Sequence, residues 1–230
     1  MVVGNGFIAR AFTESQYKFD DKIVFASGVS NSSANNDAGF ERERALLKIY
    51  RSNKKKLIYF STSSVFDKQR LLSPYVQHKI NIERYIQEHF SNYIVYRLPI
   101  VVGKSTNPNT LTNYLYHCVE SGKEIELHEN ACRYLMDVDD VVKYVSRTSY
   151  IDNLVINLNF NNGLSIKDLV VMFEQILGKK ANISLVSKGD CYSIDNSVFV
   201  NLINENDTPC LDHETYVYSV INKYYGVADL

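Results

Sequence analysis

MVVGNGFIARAF, residues Met1–Phe12, places two glycines directly after an apolar pair and directly before apolar residues at helical spacing. The chain holds only 10 Gly in 230 residues, so the pair at Gly4 and Gly6 marks a backbone requirement. Gly4-Asn5-Gly6-Phe7-Ile8-Ala9 reads as G-x-G-x-x-A between a strand at Met1–Val3 and a helix that begins at Phe7. Such a turn aims backbone N–H groups and a helix N-terminus at a place where a pyrophosphate can sit, and the small third residue lets helix and strand pack closely. A plain tight turn would show the same glycines, so the motif alone leaves both readings open.

Strand, turn and helix then repeat along the chain. Lys22–Ala26 (KIVFA) reads as a buried strand, followed by a helix from about Phe40 to Tyr50 with Ala45, Leu46 and Ile49 on one face. KLIYFSTSS is a third strand, SPYVQHKINIERYIQEHF a helix carrying Ile80, Tyr85 and Ile86 among charges, and YIVYRLPIVV a fourth strand. Continuous apolar strands separated by helices predict a parallel sheet covered on both faces. After Gly103 shorter elements follow: a helix in STNPNTLTNYLYHCVESG, an alternating strand EIELHE, and a helix in MDVDDVVKYVSRTSY with acidic residues in its first turn, where the helix dipole favours them. LVINLNF is a strand, SIKDLVVMFEQILGK a helix capped by Ser165 and stopped at Gly178, and ETYVYSVINKYY is amphipathic. The expected fold is α/β: a Rossmann-like doubly wound parallel sheet over residues 1–103, and a small C-terminal α/β substrate lobe over 104–230 with some elements returning to the core.

Composition narrows the function classes. A net charge of −1 offers no basic footprint for nucleic acid, and Lys54-Lys55-Lys56 reads as a solvated rim before a strand. No run approaches the ~20 apolar residues of a membrane span, and the chain starts inside its first element, so neither membrane nor secretory leader is expected. Cys118, Cys132, Cys191 and Cys210 lack C-x-x-C spacing and the five His form no H-x-x-x-H, so no metal site is expected. The cysteines read as reduced cytoplasmic thiols.

Chemistry concentrates at Tyr75-Val76-Gln77-His78-Lys79. With 17 Tyr, roughly one Y-x-x-x-K arises by chance, and a second runs from Tyr50 to Lys54. Tyr75 and Lys79 differ in sharing one helical segment that Ser73-Pro74 can start, so they lie on one face. A tyrosine becomes a useful acid near neutral pH when a cation sits one helical turn away. Thr62, Ser63 and Ser64, at the end of an apolar strand, supply hydroxyls where ligands bind in open α/β sheets; a polar strand-end loop is the plainer alternative.

Taken in order, GNGFIA, IYFSTSSVFD, SPYVQHK, YRLPIVVG and RYLMDVDDV resemble the extended short-chain dehydrogenase/reductases of the NAD-dependent epimerase/dehydratase type, most of which act on nucleotide-activated sugars. YFSTSSVFD looks most like the segment of dTDP-4-dehydrorhamnose reductases. The resemblance implies an NADPH or NADH cofactor and a nucleotide-sugar substrate in surface-polysaccharide synthesis. It makes Tyr75 the proton donor, Lys79 the holder of the nicotinamide ribose and Thr62 the hydroxyl on the reacting oxygen, with Ser63 or Ser64 as understudy. Gly4, Asn5, Gly6, Phe7 and Ile8 would cradle the cofactor, Leu98, Pro99 and Ile100 would line the nicotinamide pocket, and Arg133 would meet a substrate phosphate. No Glu stands directly after Thr62, where dehydratases of the family carry an acid pair, which favours reduction over dehydration. Epimerisation and a non-catalytic dinucleotide sensor stay open, as does a homodimer through Ile82, Tyr85 and Ile86, which would serve equally as core.

Only about seventy positions separate Gly4 from Tyr75, fewer than in a full-length member. KIVFA followed by SGVSNSS looks like the family's fourth strand, its small-residue end (Ala26, Ser27, Gly28) beside the cofactor, which leaves the adenosine-gripping segment of the second and third strands missing or severely shortened. In the competing alignment KIVFA is the true second strand. Asp20 and Asp21 precede a strand, so the ribose-binding acid has no counterpart. Arg10 would reach a 2′-phosphate or simply lie exposed.

Overall fold

A computed structural model describes residues 1–32, 37–160, 162–203 and 212–226. In chain order the first half comprises β1 Val2–Val3, α1 Phe7–Glu14, β2 Lys22–Phe25, α2 Asp37–Tyr50, β3 Lys56–Thr62, a 3-10 turn Ser63–Phe66, α3 Pro74–His89, β4 Tyr93–Leu98 and β5 Ile100–Val102. The second comprises α4 Leu111–Ser121, β6 Ile125–His128, β7 Cys132–Arg133, β8 Leu135–Asp137, α5 Val138–Thr148, β9 Leu154–Asn157, β10 Leu164–Ser165, α6 Ile166–Leu177, β11 Ile183–Val186, α7 Ser197–Leu202 and α8 His213–Tyr225.

The core is a five-stranded, wholly parallel, Rossmann-like sheet in the order β1-β2-β3-β4-β9. All seven residues of β3 are buried, because helices cover both faces, and this is why the strand reads as continuous apolar sequence. Phe12 of α1 and Val141 and Val145 of α5 pack on one face; Leu47 of α2 and Ile82 and Ile86 of α3 pack on the other. Ile82 and Ile86 are therefore core.

Strand order decides between the two alignments. β2, β3, β4 and β9 all follow one another on a single side of β1, whereas a true second strand would leave the later strands to return to the opposite side of β1. In a doubly wound dinucleotide fold the second and third strands lie beyond the first, on the side away from the fourth. Among the described residues β1 is the outer strand there, as the fourth-strand reading of KIVFA requires.

Several local expectations are corrected. YIVYRLPIVV divides at Pro99, which has no N–H for the ladder; β4 stays in the sheet, while β5 leaves to pair with β8. The buried stripe of α2 is Phe40, Glu43 and Leu47, whereas Ala45 and Ile49 are exposed. Lys56 is buried, its ammonium meeting the carbonyls of Ser149 and Ile151 at 2.9 Å each, so only Lys54 and Lys55 form a rim. Cys132 and Cys191 form a disulfide with Cα atoms 4.7 Å apart, contrary to the expectation of reduced thiols; the pairing is non-local, which spacing alone does not reveal. Cys118 is free and buried, and Cys210 lies outside the described residues.

Beyond Gly103, α4, α6 and α8 enclose a separate apolar cluster around Leu115, Phe173 and Val217. The tail helix α8 is fastened to the acidic start of α5: Lys223 reaches Asp137 and Asp139 at 2.7 Å each, and Tyr224 donates to Asp137 at 2.7 Å.

Candidate active site

Two local structures aim the hydroxyls. At the end of β3, the Thr62 Oγ1 accepts from the Ser64 N–H at 3.1 Å, capping the 3-10 turn. Helix α3 begins with the Ser73 hydroxyl accepting from the Val76 N–H and Pro74 in its first turn. This start sets Tyr75 and Lys79 one turn apart against β3, both buried. The Tyr75 hydroxyl makes no hydrogen bond among the described residues, and the Tyr59 phenol of β3 feels its field.

Lys79 is fully engaged. Its three N–H groups point to the Tyr59 hydroxyl (2.9 Å), Glu43 Oε1 (3.1 Å) and the Phe60 carbonyl (3.4 Å). Glu43, wholly buried on α2, also accepts from Tyr59 (2.5 Å), from His78 Nε2 (2.9 Å) and from the Val29 N–H (2.7 Å). An ionised carboxylate only accepts, so His78 carries its proton on Nε2, and its Nδ1 is buried without a partner among the described residues. Burial would push the Glu43 carboxyl up, but Lys79, His78, Tyr59 and Val29 together hold it well below the usual range. Burial and then Glu43 push the Tyr59 phenol well up. A second buried network lies alongside: Ser61 donates to Glu83, which grips Arg97 through Nε at 3.1 Å and Nη2 at 2.6 Å.

The glycine turn closes the other side. Gly4 has φ +123°, and a Cβ there would lie 2.6 Å from the Ala26 carbonyl oxygen, so only glycine lets β1 approach the end of β2. Gly4→Ala is expected to cost about 1–3 kcal/mol through strain and that clash, read as a lower urea midpoint. A Cβ on Gly28 would lie 2.7 Å from the Lys79 ammonium and 2.9 Å from Glu43. Gly4, Ala26, Ser27, Gly28 and Lys79 thus form one contiguous wall.

The other candidates fall in different places. Phe7 turns away, its ring against Gly103; Ile8 packs partly buried on the sheet core; and Asn5 offers its carbonyl to the exposed Arg10 at 3.4 Å. Leu98 is in the core, and Ile100 packs on the lobe cluster beyond Pro99. Arg133 donates to the Cys132 carbonyl at 2.7 Å, and both it and Ser63 lie close to the Tyr192 phenol. Burial pushes that phenol up, and Arg133 and Ser63 oppose the push. Glu43, Tyr59, His78 and Tyr192 were not singled out from sequence, nor was Arg42, which grips Ser27 through its hydroxyl (3.2 Å) and its carbonyl (2.9 Å).

The residues fit a dinucleotide at its pyrophosphate. Gly6 precedes α1 with no side-chain cap, no acid lies in the first turn, and nothing stands within 4 Å of where a Cβ would be. Among the described residues there is no cluster of His, Cys, Asp or Glu able to hold a metal ion, and no helix long and apolar enough to cross a membrane.

Residues 9–149 match the model of the NAD dependent epimerase/dehydratase family. At the level of sequence no curated protein matches. Among solved structures, RMD from Pseudomonas aeruginosa, complexed with NADPH, is similar with a TM-score of 0.71 at 12% identity, over 98% of this chain and 99% of that one. The Thermus thermophilus UDP-glucose 4-epimerase, in complex with NAD, gives 0.69 at 13% identity over 96% and 82%. The Bacillus cereus UDP-glucuronic acid 4-epimerase, with UDP-glucuronic acid and NAD, gives 0.69 at 21% over 88% and 76%. The chain belongs to the NAD dependent epimerase/dehydratase family. Its cofactor class is accordingly nicotinamide dinucleotide.

Proposed function

We propose that the protein is an NAD(P)H-dependent reductase of a nucleotide-activated 4-keto sugar, serving the synthesis of surface-polysaccharide precursors. The observation that supports this reading most is the buried Tyr75, whose hydroxyl has no partner among the described residues, one helical turn before a Lys79 that lies against Gly28. The elements after Gly103 that stay outside the sheet form the sugar-binding lobe, with Arg133 toward the diphosphate and Ser63 and Ser64 beside the sugar. A bound NAD(P)H supplies the hydride that goes to the carbonyl carbon.

The chain's own groups handle the oxygen. Thr62 Oγ1 already accepts from Ser64, so its proton is left to donate to the substrate oxygen. Tyr75 gives its proton to that oxygen, and the Lys79 ammonium one turn away offsets the charge left behind. Hydride and proton together turn the ketone into an alcohol. An epimerase would run the same groups in both directions; several of the structurally similar proteins are epimerases.

One observation favours a second reading, a dinucleotide-binding sensor without turnover: every Lys79 donor is taken by the protein, leaving none for a ribose. Calorimetric titration with NADH and NADPH, followed by nicotinamide absorbance with 4-keto nucleotide sugars, separates the cases. Binding with turnover supports the reductase, binding without turnover supports the sensor, and no binding of either dinucleotide overturns both.

A further inference from the structure

The disulfide and the turn carrying Thr62 meet through one residue. Residues 187–196 run without helix or strand beside residues 130–134: the Asn130 N–H donates to the Lys188 carbonyl at 3.1 Å, and the Cys132 N–H to that of Asp190 at 3.3 Å. Cys191 is exposed, and the bridge ties it to Cys132, 59 positions earlier. Arg133 and Tyr192 directly follow the two cysteines. The Tyr192 ring lies 5.5 Å from that of Tyr134, the Tyr134 hydroxyl donates to the Tyr192 carbonyl, and the Tyr192 phenol lies close to Ser63, Arg133 and Asp67. The bridge therefore fixes one phenol against the neighbour of Thr62.

We propose that the Cys132–Cys191 bridge is a redox latch on the substrate side of the site, holding Tyr192 against Ser63 and beside Arg133 until a dithiol reductant opens it. For its ligand the inference rests on the nucleotide-sugar reading: a cation and a hydroxyl side by side suit a sugar diphosphate. In the opening step a reductant thiolate attacks the exposed Cys191 sulfur, and the S–S bond breaks with Cys132 leaving as a thiol. The reductant's second thiol then closes its own disulfide and frees Cys191 as a thiol. Two electrons and two protons pass from the reductant to the protein. Once open, the middle of the segment is held by the two backbone bonds and the Tyr134 contact, while its ends stay tied by the Lys188 N–H on the Val186 carbonyl (2.8 Å), the Asn157 amide on the Asp195 carbonyl (2.6 Å), the Ser197 N–H on Asp195 (3.0 Å) and the Val200 N–H on the Asn196 carbonyl (2.9 Å), against the freedom of ten residues that include Gly189 at φ +99°.

The test compares oxidised, dithiothreitol-reduced and reoxidised protein, and Cys132→Ser/Cys191→Ser as a fixed open form. UDP-glucose, dTDP-glucose and NADH are each titrated calorimetrically. Trypsin cleavage after the exposed Lys188 is followed by mass spectrometry. The expected result is at least about tenfold weaker nucleotide-sugar binding on reduction, NADH affinity within about twofold, recovery on reoxidation, and cleavage about tenfold faster. Unchanged sugar affinity and cleavage overturn the latch, as does a parallel loss of NADH binding, which reports general loosening. If neither nucleotide sugar binds in any state, the substrate reading fails, and cleavage alone decides the latch: faster on reduction supports it, equal rates overturn it.

Discussion

Tyr75→Phe is expected to lower turnover about a thousandfold while leaving NADH or NADPH affinity within about twofold, because a positioned general acid contributes about 10²–10⁴ to rate. The substitution is unusually clean here. The Tyr75 ring is buried and stays in place as phenylalanine, and the lost hydroxyl has no partner among the described residues whose bonding would be broken. Folding stability is expected to stay within about 0.5 kcal/mol. Tyr59→Phe on β3 is the contrasting control: its hydroxyl links Glu43 and Lys79, so its removal strikes stability first. Single-turnover kinetics with a 4-keto nucleotide sugar, alongside calorimetric cofactor binding, read the difference. A fully active Tyr75→Phe protein would remove Tyr75 as proton donor and with it the central assignment of the site.

The sheet was largely legible in the sequence because its signals are local. Val2-Val3, KIVF, KLIYFST and YIVYRL are apolar on both sides, and Ser73, Ser165 and Gly178 mark helix ends by capping chemistry that acts within one turn. The one-directional strand order was foreshadowed by the short distance between Gly4 and Tyr75 and by the small residues after KIVFA. Pairing partners decided it, and those are non-local. The same limit hid the disulfide, whose cysteines lie 59 positions apart, and β11, which gains its identity by pairing in parallel with β6.

Glu43 was illegible for a different reason. FERERALL looks like a solvated helix face, and hydrophobicity favours Ala45, Leu46 and Ile49 as the buried stripe. The structure buries Phe40, Glu43 and Leu47 instead, since Lys79, His78, Tyr59 and Val29 together compensate the carboxylate. A charge that is buried because four partners surround it leaves no trace in periodicity. The available hint was positional: Glu43 lies three residues after Phe40 and four before Leu47, the spacing of one helical face.

That compensation makes Lys79→Met the substitution with the largest expected effect on stability, about 3–5 kcal/mol at neutral pH, since breaking a buried pair strands the remaining charge. Its pH dependence identifies the stranded group. In the parent protein Glu43 is held below its unfolded value of about 4.3, so the pair contributes fully above that pH, and its contribution is lost as pH falls through the folded value. Without Lys79, burial is left against weaker opposition and the Glu43 carboxyl rises above its unfolded value. The penalty is then greatest at neutral pH and shrinks as acid protonates the carboxyl. Urea unfolding of parent and variant at pH 8, 7, 6 and 5 should show the two curves converging toward pH 5, with Glu43→Gln/Lys79→Met recovering most of the loss at pH 7. A pH-independent gap would mean that the stranded charge is not Glu43, and that Lys79 is held chiefly by Tyr59 and the Phe60 carbonyl. Convergence would show that a carboxylate of this chain already occupies the lysine on which the proposed chemistry depends, so that any cofactor ribose must compete with Glu43 for it.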